Sequence, residues 1–397
     1  MQVVLTPLTQ FIVSQGGWTH ASGKYARNPR LSVPLSSHSS MKSILKSLKS
    51  IFFAGACLWL FVQGSSCKSP IVPPEIDPGP DTTSHEFVWQ IDTIGAQGVL
   101  YDAAIIDENN IWAVGEIYLR DSSGQIDPKL YNVAQWDGVN WTPRRVTVNF
   151  RANLITPAVQ GIFAFSQSDI WLAASGSVIH GNGSSWTLHD VRLVTGFDSL
   201  SFTKTWGTSS ENMYFVGRSG SIAYYNGVNW QKIESGTTLD IWDIWGGNTG
   251  SNTEIVAIGN NGPEKDILRI SNNGVDTVSD AGIPESVVGV WFSPGRKYVI
   301  VGSGIFRKRS LSEPVWTGAP LELTEYFSNA VCGTDTNNVV VAGAYGDLLH
   351  YNGSTWKRYP ELLMTNGSYY AVSCSGKSVA AVGHVGSRAI ALTGMRQ

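Results

Sequence analysis

Charge is scarce in this chain. Charged residues make up 15% of its 397 positions and the formal net charge is -3, so it has neither the basic surface that a polyanion requires nor a long acidic tail, and nucleic acid is not an expected partner. Helix-forming runs of Lys, Glu and Ala are missing. So are the linear signatures of common catalytic sites: there is no Gly-x-Ser-x-Gly elbow, no Gly-rich phosphate loop ahead of a helix, and no His-Glu-x-x-His. His189 and His384 have no Cys or His at ligand spacing, which leaves no zinc pattern. No catalytic residue, metal or cofactor is therefore expected. Glycine (42) and tryptophan (15) are plentiful, as they are where short strands are joined by tight turns, and the expected class is all-β.

From Met41 the sequence MKSILKSLKSIFFAGACLWLFVQGSSCKSP sets three lysines before an apolar run, Ile51 to Val62, and small residues before Cys67. The run is too short to span a bilayer, and the order is that of an export signal over residues 41–66. Residues 1–40 have no coherent pattern and are read as a mis-assigned or disordered N-terminal extension, with the start at Met1 or at Met41. The segment Gly64-Ser65-Ser66-Cys67 resembles a bacterial lipoprotein signal, with Gly64 where leucine is usual. That resemblance implies a lipid on Cys67 and a membrane contact through it. Residues 67–85 form a Pro-rich, extended tether that cannot build a core. The expected location is the cell envelope, as an outer-membrane or cell-surface lipoprotein, with a periplasmic or secreted form as the alternative.

Of four cysteines, Cys57 and Cys67 fall in the export segment, leaving Cys332 and Cys374. These two lie one alignment step apart in neighbouring repeats. They are read as small buried apolar residues rather than as a disulfide.

Repetition organises the rest. GDLLHYNGSTW (Gly346 to Trp356) returns as GSVIHGNGSSW, GSIAYYNGVNW and YNVAQWDGVNW, ending at Trp186, Trp230 and Trp141. A second block precedes each: DENNIWAVG, SQSDIWLAASG, TSSENMYFVG, GSNTEIVAIG, PGRKYVIVG, TDTNNVVVAG and SGKSVAAVG. The degenerate DILRISNNGVDTVS (Asp266 to Ser279) fills the long gap before Trp316. Each unit reads as four strands, with Asn-Gly or Asp-Gly as the two central residues of a hairpin turn. Four-stranded units at this period are propeller blades. The last copy has room for three strands only, whereas HEFVWQIDTI (His85 to Ile94) stands alone at the start. The expectation is a seven-bladed β-propeller over residues 86–394, closed by that N-terminal strand, and monomeric.

The combined pattern TWGTSSENMYFVGRSGSIAYYNGVNW (Thr205 to Trp230) resembles secreted bacterial propeller lipoproteins, and is similar to Asp-box sialidase-type propellers and to photosystem II assembly-factor propellers. Proteins of this repeat type are sometimes labelled glucosyl transferases. The resemblance implies a propeller over nearly the whole mature chain and a module that binds a protein or glycan at the envelope. The alternative is a carbohydrate-active enzyme, a glycosyl hydrolase or transferase, with two carboxylates over one channel mouth.

Candidate ligand contacts follow from the repeats. Phe163, Trp206, Trp245 and Trp291 align at one level of the ring, with Ala104, Cys332 and Val372 in the other units. They could stack a sugar or peptide, or pack between blades. The longest insertion, Glu116 to Asn132, carries Asp121, Ser123, Gln125 and Asp127 in a faintly calcium-loop-like alternation, without the glycine and terminal glutamate of an EF-hand. A solvated hairpin extension is the default there. His350 aligns with His180, Tyr224 and Gln135, so it is expected to be a replaceable, half-exposed strand residue.

Overall fold

A computed structural model describes residues 81–397, apart from 197–198, 251, 272–273 and 324. The extension 1–40, the export segment 41–66, Cys67 and nearly all of the tether lie outside the described residues.

Seven four-stranded antiparallel sheets follow one another along the chain. Their first strands are Gln97–Asp107, Gly161–Ser166, Phe202–Ser209, Asp240–Asn248, Val287–Ser293, Ser328–Asp335 and Gly367–Ser375. Each touches its neighbour, and the seventh touches the first, so these inner strands line a closed ring. The degenerate fourth unit supplies Lys265–Ser271 and Gly274–Val278 as an ordinary third and fourth strand. The orphan strand closes blade seven as expected: Phe87–Thr93 pairs antiparallel with Arg388–Arg396, from Phe87 opposite Arg396 to Thr93 opposite Ile390.

Alternating strand residues bury both faces of every blade, and each of seven cores is shared by two adjacent blades. Blades one and two, for example, meet through Trp112, Val114, Ile162 and Leu172. Each fully buried aliphatic side chain of this kind contributes about 1.5–3 kcal/mol, which makes blade-to-blade contact the main cohesion of the ring.

The Asn-Gly turns differ in frame from the expectation. Asn182, Asn226, Asn352 and Asp137 stand at the first corner, and each side-chain oxygen accepts from the backbone N–H groups two and three residues on. Only the following glycine has positive φ, 95° at Gly138 and 102° at Gly353. Glycine is thus the first central residue, as in a II′ turn, and the Asx side chain closes what a backbone carbonyl would otherwise close.

Two further features lie outside the repeat. A hairpin, Val148–Phe150 with Asn153–Ile155, is inserted between blades one and two. Asn132, fully buried, holds its base by donating to the Val146 and Pro157 carbonyls and accepting from the Val146 N–H. The second is a strap, residues 81–86, that lies along blade six before the closing strand begins. Thr83 donates its N–H to Asn352 O and its hydroxyl to Asn337 O, Asn337 donates to Asp81 O, and Tyr359 donates to His85 O.

The strap corrects the reading of His350. That residue is fully buried rather than half-exposed, because His85 covers it, Nδ1 to Nδ1 at 2.9 Å, while Asn338 Oδ1 holds its other nitrogen at 3.0 Å.

Candidate binding site at the channel mouth

The inner strands begin at one end of the ring and carry a β-bulge near that end in six blades. The residue just past the bulge faces the same register position in each: Asp102, Lys204, Asp243, Gly289, Ala330 and Ala371, with Gly161 in blade two. The ring is therefore charged on blades one, three and four and lined by small residues elsewhere. Lys204 reaches past Gly161 to Asp102, Nζ to Oδ1 at 2.5 Å. The glycine is needed there, since a Cβ on Gly161 would stand 2.6 Å from the Thr203 carbonyl oxygen.

Each carboxylate also ties its blade to the next. Asp102 Oδ2 accepts from the Ile162 N–H at 3.1 Å, and Asp243 Oδ2 accepts from the Val290 N–H at 2.9 Å. Burial pushes Asp243 up to about 6, against the pull of Lys204. Burial also works to lower Lys204, but Asp102 and Asp243 outweigh it and raise the amine above its ordinary value. The cluster holds a largely buried charge pair where the inner strands of blades one and three approach each other.

The bulge residues themselves form the rim. Tyr101, Trp242 and Tyr370 occupy it in blades one, four and seven. Trp242 is 53% exposed and Tyr370 42%. The Trp242 indole is held by donating to Asn260 O at 2.9 Å, and Tyr370 stacks on His384 at 5.4 Å. Tyr101 points its hydroxyl at Glu116, 3.5 Å away, and is pushed up to about 12 by burial and by that carboxylate. In blade six Tyr345, 51% exposed, lies 5.3 Å from Tyr326, over which Arg358 sits while pairing with Glu325. Tyrosine and tryptophan held this way present apolar area and a polar edge at small entropic cost, the property that enriches them at interfaces.

The residues expected to touch ligand lie three positions further along the same strands. Trp206 and Trp291 are buried, at 5% and 2% exposure, and Phe163 and Trp245 are half-buried. The Trp206 ring fills the space over Gly246 of the next blade, and Trp291 does the same over Gly333. Trp245 donates to Phe292 O of the next blade at 3.0 Å, and Phe163 packs into the cores on either side of blade three. A Cβ on Gly246 would lie 2.4 Å from Trp206. Gly246→Ala should therefore cost about 1–3 kcal/mol in chemical denaturation, as overpacking does. An unchanged midpoint would argue against this slot.

The same slot explains the cysteines, which are joined, contrary to the sequence reading. Cys332 stands level with Trp206 and Trp291, whereas the blade-seven residue at that level is Ser373, opposite Ala380. Cys374 is one step on, where Gly246 and Gly333 stand. One alignment step in adjacent blades is the contact geometry of this ring, and the Cα atoms are 5.7 Å apart.

In the blade-one insertion, Asp121 Oδ1 accepts from the Ser123 N–H and hydroxyl and from the Gln125 N–H, which holds its carboxyl below the ordinary range. Asp127 accepts from the Lys129 N–H. Both side chains close turns within the insertion. At the opposite end of blade one a polar cleft of about 350 Å³ is lined by Asp107, Asn110, Gln135, Asp137, Arg144 and Gln167. Among the described residues, no group of three or more His, Cys, Asp or Glu side chains could hold a metal ion.

The chain superposes on YCF48 bound to a D1 peptide with a TM-score of 0.58 at 16% identity, covering 80% of this chain and 100% of that one. YCF48 from Cyanidioschyzon merolae gives 0.57 at 14% identity over 77% and 98%. The WD40 propeller domain of Doa1 gives 0.56 at 11% identity over 79% and 98%. What these likenesses show is the fold. No protein-family model and no curated protein matches the sequence.

Proposed function

We propose that this propeller is an exported binding module, carried on a lipid at Cys67, that takes a protein or glycan partner on the channel mouth where the inner strands begin. The carrying observation is the exposed aromatic rim of Trp242, Tyr345 and Tyr370 around a charged channel. A peptide is the favoured partner class, because a propeller of similar fold has been captured with one bound, and because tyrosine-rich rims suit peptide backbones as well as side chains. Binding to peptide and glycan panels, followed by calorimetry on the best ligand, tests it. The double variant Trp242→Ala, Tyr370→Ala should weaken binding at least about tenfold at unchanged thermal midpoint. Val228→Ala, on a hairpin turn at the far end, should not. If the far-end variant loses binding and the rim variant keeps it, the reading is wrong. For the anchor, incorporation of labelled lipid should vanish in Cys67→Ser; incorporation that persists would remove that half.

A second reading, glycoside chemistry, has one observation in its favour. Asp243 is pushed up to about 6, the behaviour of a general acid, and Asp102 lies at the same channel level. Loss of glycan turnover in Asp243→Asn with binding retained would carry it.

A further inference from the structure

Every blade of a propeller ends in an outer strand with one unpaired edge, and six of the seven edges here are short or defended. The outer strands of blades one to six run from two to five residues. In blade one the N–H of Asp137 bonds to Asn140 O, which turns Thr142 and Arg144 inward and leaves Pro143, with no N–H to offer, on the free edge. The inserted hairpin lies beside the blade-two edge and the helix Val191–Thr195 beside the blade-three edge. Blade four has Gly274 and Asp276, blade five only Thr317–Gly318, and blade six Lys357 and Arg358. These are the usual protections of an edge strand.

The closing strand, Phe87–Thr93, has the fewest of them. It is seven residues long, its one charged residue is Asp92, and it exposes Val88 at 62% and Ile91 at 46%. Gln397 donates its N–H to Glu86 O and Ile94 donates to Ala389 O. By alternation, Val88, Gln90 and Asp92 turn their backbone groups to the neighbouring strand. Phe87, Trp89, Ile91 and Thr93 turn theirs outward.

We infer that this edge pairs with the same edge of a second copy, in an antiparallel two-fold dimer centred on Gln90. In that register Phe87 faces Thr93 of the second copy and Trp89 faces its Ile91, so all four outward residues of each strand exchange hydrogen bonds. Asp92 meets Val88 rather than another carboxylate, and the exposed Ile91 stands opposite Trp89, whose indole lies over Gly394 of its own ring. Self-complementarity of this kind selects a second copy over an unrelated strand. Seven paired residues cover less than the roughly 800 Å² per partner of a standard interface, so association depends on concentration. The monomer expected from the sequence is then the dilute-solution form.

The test uses Pro74–Gln397, the compact unit that contains all seven sheets and closes its own ring. Sedimentation from about 1 μM to about 1 mM should show mass rising from one chain toward two. Ile91→Pro removes an outward N–H without touching a bond to the neighbouring strand, and should raise the dimer dissociation constant at least about tenfold. Ile91→Lys serves if the proline variant does not fold. Gln90 faces its own symmetry mate in a non-hydrogen-bonded pair, so Gln90→Cys should cross-link into dimers on mild oxidation much faster than Val88→Cys. A mass that stays at one chain throughout overturns the inference. So does an unimpaired Ile91→Pro dimer, and equal cross-linking at 88 and 90 overturns the register.

Discussion

Lowering the pH from 7 to 4 should remove about 3 kcal/mol of stability through His350 alone. Burial, helped by the nearby charges of His85, Arg396 and Lys357, lowers this imidazole to about 3 in the folded ring. In the unfolded chain it titrates near its ordinary value of 6.5. Above that value both states hold it neutral and there is no pH dependence from this group. Below it the unfolded chain takes up the proton first, so stability falls steadily until the folded state can be protonated near 3. His85, also lowered, chiefly by burial, adds to the loss in the same direction. Asp243 works the other way: its folded value is raised, so its share of stability is full at low pH and declines as pH rises toward 6. The clean measurement is therefore a difference. His350→Gln keeps an amide able to meet Asn338, as Gln135 meets Asn110 in blade one at 3.0 Å, and has nothing to titrate. Its stability should fall less than the parent's between pH 6.5 and pH 4, by the same few kcal/mol. Parallel curves for the two proteins would sink the assignment.

Opening the Cys332–Cys374 bond should be the costliest change to the seam between blades six and seven. The two are 42 residues apart, and a loop of that length restricts the unfolded chain enough to contribute about 4 kcal/mol at 25 °C by chain entropy. Cys332→Ser with Cys374→Ser should lower the denaturation free energy by about 2–4 kcal/mol, and a reductant should do the same to the parent but nothing to the variant. The repeat offers a second, sharper test. Because the pair occupies the slot that Trp206 and Gly246 fill between blades three and four, Cys332→Trp with Cys374→Gly should recover part of what the serine pair loses. A tryptophan–glycine variant no more stable than the serine one would show that the slots are not equivalent.

The parts of the molecule legible in the sequence are those that repeat. Blade number, the degenerate fourth unit and the closing strand follow from spacing, because each blade must satisfy the same sheet pairing and interblade packing as its sisters. The parts that were not legible depend on departures from the repeat. His350 looks replaceable beside His180 and Gln135, and only the strap, 265 residues away in sequence, buries it. The cysteines look misaligned, and only the offset between adjacent blades brings them together. The rim was in view but one layer away. Trp242 and Trp245 sit on one strand, the first on the bulge and exposed, the second past it and packed against blade five. A bulge shifts the inside–outside alternation by one residue, and nothing in DIWDIWGG marks where that shift falls.

The strap also decides how the ring would meet a mechanical load. A pull at Asp81 directed along the closing strand passes first through the strap contacts on the Asn352–Gly353 turn and then into Phe87–Thr93. Its bonds to Arg388–Arg396 lie across that direction and would be strained together rather than one after another. The joint that completes the ring is thereby the one best placed to hold against being tugged from its own N-terminus.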